Sequence, residues 1–161
     1  MKAMCAAIEE ISPDNGFVSD FSGRVFRGRT RFGASDPIPM VSILEAPIPL
    51  EKIRPPQDAT DDAGPWELVI QAFVKDDKEN PCDPAYVALA DLRKRMAQER
   101  SKLDTYHYPT GPFGLGRLVY GMYIGTGVVR PPDEISEKAY CWLQVTLDIA
   151  EDMAHPYGHH V

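Results

Sequence analysis

Apolar and polar positions alternate most clearly in two stretches of the chain. From Trp66 to Lys75, Trp66, Leu68, Ile70, Ala72 and Val74 fall on one side, with Glu67, Gln71 and Phe73 on the other. From Tyr140 to Ala150, Cys141, Leu143, Val145, Leu147 and Ile149 alternate with Trp142, Gln144, Thr146 and Asp148. A period of two predicts half-buried strands, because successive side chains leave a strand on opposite faces. Met40 to Ala46 reads as a further strand. Pro37 and Pro39, which cannot donate ladder hydrogen bonds, stand just before it. This strand and the 66–75 strand are expected to form an antiparallel hairpin. Arg24 to Phe32 also alternates, with Arg27, Arg29 and Arg31 on a wet face opposite Phe26, Thr30 and Phe32. Arg117 to Ile124 resumes alternation through Leu118, Tyr120, Met122 and Ile124, and Pro131-Pro132 interrupts the chain after it.

Helical spacing occurs twice. Met4, Ile8 and Ile11 recur at four and three, which predicts a short helix over 2–11, ended by the turn residues Ser12-Pro13-Asp14-Asn15-Gly16. Ala85, Leu89, Leu92 and Met96 give a buried stripe, with Arg93, Lys94, Glu99 and Arg100 expected to stay wet. Asp83-Pro84 supplies a start signal: the carboxylate can take an orphan amide, and proline loses nothing in the first turn. The sum is a helix, three strands, a helix and at least two strands. That order predicts a single α+β domain over 1–161, with an antiparallel or mixed sheet of about four to six strands and helices on one face. Residues 47–65, rich in Pro, Asp and small side chains, read as a long flexible loop, and 153–161 as an extended tail.

Chemistry is sparse. Gly111 to Gly116 is glycine-rich but leads into a strand and lacks the Lys-Ser/Thr of a phosphate loop, so it reads as a turn. His155, His159 and His160 invite a metal site, yet Pro156 and Gly158 prevent the regular helix that would align two of them. Asp61-Asp62 and Asp76-Asp77 are adjacent acids on expected turns, where pKa values stay ordinary. No catalytic residue, cofactor or metal is assigned. Cys5, Cys82 and Cys141 form an odd set without CxxC spacing and no signal peptide is legible, so reduced thiols and a cytoplasmic origin are expected. No apolar run approaches the roughly 18 residues of a membrane span. The formal charge of −7 disfavours general nucleic-acid binding. It is also uneven: Arg24, Arg27, Arg29 and Arg31 crowd one stretch, whereas 133–152 holds Asp133, Glu134, Glu137, Asp148, Glu151 and Asp152 against Lys138. Such poles suit contact between copies.

Several pieces then resemble, in order and spacing, the tail terminator proteins of long-tailed bacteriophages, the lambda-like minor tail protein group. They are Gly23-Arg24-Val25-Phe26, Pro37 to Ile43, Trp66 to Ile70, Asn80-Pro81-Cys82-Asp83-Pro84-Ala85, Val129 to Asp133 and Trp142 to Leu147. The likeness spans most of 20–150. It implies a non-catalytic virion protein, assembled in the host cytoplasm, that forms a six-subunit ring on the head-proximal end of the tail tube. There it stops polymerisation and offers the surface for head joining. Its partners would be its own copies, the tail tube protein and a head-completion or connector protein, with genomic DNA passing through the lumen without specific binding. On that reading Arg27, Arg29 and Arg31 are expected to meet Asp133, Glu134 and Glu137 of the next subunit. Arg54, Gln57, Asp58, Asp61 and Asp62 are expected to contact a partner from the 47–65 loop. Another neck or tail component, such as a stopper or tube subunit, and a small α+β enzyme or ligand-binding domain are the competing readings.

Overall fold

The computed structural model describes residues 1–30, 32, 33, 35–47, 61–104, 106–134 and 137–152, with backbone alone at 61–63 and 151–152. The chain runs α1 (Lys2–Glu9), β1 (Val25–Arg27), β2 (Met40–Glu45), β3 (Asp61–Val74), α2 (Asp83–Ser101), β4 (Val119–Arg130) and β5 (Ala139–Asp152). The strands form one mixed sheet in the order β1-β2-β3-β5-β4. β1 is parallel to β2; every other pairing is antiparallel, including the expected β2–β3 hairpin. This is a single-sheet α+β domain with both helices packed against the sheet.

The two clearest alternations decide the core. Leu68, Ile70 and Ala72 on β3 and Cys141, Leu143 and Val145 on β5 are all fully buried on the helix side. Register sets Ile70 against Leu143 and Leu68 against Val145, so the two rows form one floor. Ala85, Ala88, Leu92 and Met96 of α2, Met4 and Ile8 of α1, and Ile11 just after α1 cover it. Fully burying a side chain of Leu or Met size is worth about 1.5–3 kcal/mol, which makes this floor the main stabilising element. A buried carboxylate, Asp91, ties the chain after α1 to α2 by accepting the amides of Val18 (3.1 Å) and Ser19 (2.7 Å).

Five local expectations need correction. The Arg24–Phe32 strand is only three residues long: Gly28 turns into the left-handed region at φ 66° and lifts Arg29 out of the ladder. β3 begins at Asp61, so 61–65 belong to a strand and not to the loop. Pairing with β5 extends it there, and long-range pairing outweighs a composition that reads as loop. The α2 N-cap is Cys82, without a side-chain cap bond, and Asp83 is already helical. Glu99 is fully buried and not wet, because three residues beyond Met96 returns to the buried stripe. On β4 an extra residue between Val119 and Gly121 shifts the register, so Val119 and Met122 are buried while Leu118 and Tyr120 face solvent. Of the loop 47–65, residues 48–60 lie outside the described residues, as does the tail from 153.

Candidate interaction surface

The face of the sheet away from the helices carries the partners of the core rows. Phe73, Gln71, Val69 and Glu67 of β3 stand opposite Tyr140, Trp142, Gln144 and Thr146 of β5. Aromatic rings run across it. Phe32 packs on Phe73 with centroids 4.6 Å apart, Phe73 stacks on Tyr140 at 5.9 Å, and Tyr140 meets Trp142 at 5.9 Å. Burial, together with a hydrogen bond donated to Asp133, pushes the Tyr140 phenol above its ordinary value. Beside Trp142 lies a concavity of about 450 Å³ lined by Val69, Gln71, Thr126, Val128, Trp142 and Gln144. None of these six side chains titrates near neutral pH. They can stack, hydrogen-bond and exclude water, but they hold no general acid, general base or nucleophile of ordinary reactivity.

The second component is the strand edge beyond β5. β4 has twelve residues and, among the described residues, a neighbouring strand on one side only. From Val119 to Val129 it contains neither proline nor a charged residue. Natural sheets usually blunt such an edge with lysine, proline or bulges; here two register irregularities are the only one of these devices. Six of the nine exposed large hydrophobic residues among the described residues fall between 106 and 123: Tyr106, Tyr108, Leu115, Leu118, Tyr120 and Tyr123. This concentration at the start of β4 matters because tyrosine is enriched where protein surfaces meet.

The connection that leads into β4 is a constrained turn. Phe113 has φ 55° and ψ 17°, a left-handed conformation that costs a non-glycine residue about 1–2 kcal/mol. Glu99 Oε2 accepts the Phe113 amide at 2.6 Å, and Glu99 Oε1 accepts Arg95 at 2.9 Å and Lys102 at 2.6 Å. Arg95 also donates to the Ala7 carbonyl and to Glu10, which joins both helices to this turn. Glu99 was expected to stay wet together with Arg93, Lys94 and Arg100. The three-residue step from Met96 is the signal that could have found it.

Of the expected arginine strip, Arg27 and Arg29 lie among the described residues. Arg29 is committed within its own chain: it pairs with Asp36 and lies over the rings of Phe26 (4.7 Å) and Phe32 (5.2 Å). The Gly33 amide, and then Arg29, hold the Asp36 carboxyl below the usual range. Arg27 is exposed, and Arg31 lies outside the described residues. Asp133 takes the Tyr140 hydroxyl, while Glu134 and Glu137 are exposed. Arg54, Gln57 and Asp58 lie outside the described residues. Asp61 and Asp62 sit in β3, opposite Asp152 and Glu151. Among the described residues no group of His, Cys, Asp and Glu is placed to hold a metal ion, and no helix is long and apolar enough to cross a membrane. His155, His159 and His160 lie outside the described residues.

The cysteines differ in environment. Burial pushes Cys141 up to about 12 and raises Cys5, and both are buried; Cys82 is half-buried at the start of α2. Because the thiolate is the reactive form, a disulfide reagent is expected to modify Cys82 alone in the native protein, with Cys5 and Cys141 reacting only on unfolding. Counting released thiolate before and after denaturant checks this; modification of more than one thiol in the folded protein contradicts it. No protein-family model and no curated protein sequence matches the chain.

Proposed function

We propose that this protein is a virion assembly protein of the tail-terminator kind. Copies associate side by side into a six-subunit ring on the head-proximal end of a phage tail tube, end its polymerisation and present the surface for head joining. The observation that carries this reading is the edge strand β4, twelve residues long and free of proline and charge until Arg130, with exposed tyrosines at its start. An edge of that length, unpaired among the described residues, is a template for another chain. The helix-free sheet face adds an aromatic surface, with Phe32, Phe73, Tyr140 and Trp142 in a row, suited to the same task. Element order is a further support: helix, three strands, helix and two strands is the arrangement on which the resemblance to tail terminators rests. A ring also needs a heterologous contact whose rotation closes, since otherwise the same contact makes a filament.

Six copies carry a formal charge of −42, six times −7. Acidic walls around the channel would keep passing DNA from sticking, because basic walls hold phosphate. With Arg29 occupied at home, Arg27 is the described arginine of the expected strip left to meet Glu134 and Glu137 of a neighbour. The test is to add the purified protein to tail tubes assembled without it. Six-fold density on one end of each tube and arrested growth are expected. Incorporation along the tube would instead identify a tube subunit, and binding only to heads a head-completion protein. A ring lumen dominated by Arg and Lys would contradict the acidic channel.

A further inference from the structure

Glu99 is a buried carboxylate for which the assembly reading has no direct use, since it touches no exposed surface. We propose that Glu99 is a positioning residue: its carboxylate holds the Gly111–Gly116 turn in its left-handed form and so fixes the surface that precedes edge strand β4. The proposal rests on the reading of that edge as the place where copies meet.

The argument follows bonds along the chain. Glu99 projects from the last full turn of α2 with its side chain 1% exposed. One oxygen is shared by Arg95 and Lys102, and the other takes the Phe113 amide. Phe113 is the described non-glycine residue with positive φ, a conformation that persists only where the surroundings over-determine it. The turn is closed on itself as well. The Gly111 amide donates to the Tyr108 carbonyl, and the Gly116 amide to the Thr110 carbonyl at 2.7 Å. Immediately downstream, Leu115 and Leu118 are exposed, and Val119 starts β4 at the register irregularity that turns Tyr120 outward. The carboxylate is therefore linked through one amide to the conformation of the segment that sets the strand's phase. Arg95 keeps the Ala7 carbonyl and Glu10 when Glu99 is removed, and Lys102 can turn to water, so the loss falls mainly on the turn.

The experiment measures amide hydrogen exchange in the full chain at a concentration where it is monomeric, alongside the self-association constant, for the unaltered protein, Glu99→Gln and Glu99→Ala. A hydrogen bond to a charged group shifts a local opening equilibrium by roughly 10- to 100-fold. Exchange at Phe113 is therefore expected to rise by that factor in Glu99→Ala and by less in Glu99→Gln, whose amide oxygen still accepts. Amides of Ile70 and Leu143 in the central strands should hold, and self-association should weaken at least roughly tenfold. If the alanine variant also loses protection at Ile70 and Leu143, the glutamine variant carries the comparison. Unchanged exchange at Phe113 overturns the clamp. Faster exchange with unchanged association overturns the positioning role. An unaltered protein that never self-associates overturns the assembly reading and the positioning role together, while Phe113 exchange still decides the clamp.

Discussion

A chain carrying Tyr120→Lys and Tyr123→Lys is expected to stay monomeric at concentrations where, on the proposed function, the unaltered protein assembles. The two tyrosines are 54% and 58% exposed, so the isolated fold barely uses them, and surface changes of this kind usually move stability by less than about 0.5 kcal/mol. The assembled state is different. If β4 is covered by a neighbour, two ammonium groups are carried into a contact that offers them no partner. Each unpaired buried charge costs several kcal/mol. A loss of about 2.7 kcal/mol is already a hundredfold in association, so at least that factor is expected. Lysine on an edge is also the device by which natural sheets prevent edge-to-edge pairing. Sedimentation velocity over a concentration series, with urea unfolding as the control, reads both halves of the prediction. Assembly of the double variant at the unaltered protein's concentration would remove β4 from the interface.

Gly111→Ala is expected to be among the most damaging single substitutions in the chain, costing roughly 3 kcal/mol or more. Two effects coincide there. The backbone has φ 62° and ψ −175°, a combination open essentially to glycine alone, and a methyl group would overlap the Gly116 carbonyl oxygen and approach the Gly116 Cα to 2.9 Å. Those obstacles are backbone atoms, which cannot rotate aside as a side chain can. Gly116→Ala is the control: its φ is also positive, at 59°, but a methyl group there meets nothing within 4 Å, so only the conformational cost of about 1–2 kcal/mol remains. Urea midpoints should therefore rank unaltered above Gly116→Ala above Gly111→Ala. Equal losses at the two positions would show that close approach across the turn is not what selects glycine at 111.

The fold was legible wherever one physical term dominated. On β3 and β5 one face is buried and the other is not, so period-two alternation survives intact in Leu68, Ile70, Ala72, Leu143 and Val145. The α2 stripe was legible for the same reason. What was hidden depends on contacts distant in sequence. The first residues of β3 have loop composition and place Asp61 opposite Asp152 and Asp62 opposite Glu151, so only pairing with β5 makes them a strand. The phase of β4 reverses at an inserted residue that no local pattern marks. Arg29 looked like one rung of a solvated ladder, but Gly28 redirects the chain and two phenylalanine rings and Asp36 receive it. Glu99 was hidden because charge normally signals exposure; its burial is tolerated only because Arg95, Lys102 and the Phe113 amide surround it. The candidate interaction surface was not read from the sequence, where the charged stretches Arg27 to Arg31 and Asp133 to Glu137 drew the expectation instead of β4. Its position at the sheet edge follows from β5 inserting between β3 and β4.

Native mass spectrometry combined with particle imaging of the purified chain tests the central claim most directly. The account predicts a species of six times the monomer mass that appears as closed six-fold rings, either alone or on the ends of added tail tubes. A protein that remains a single copy at every concentration and leaves tube ends bare would contradict it.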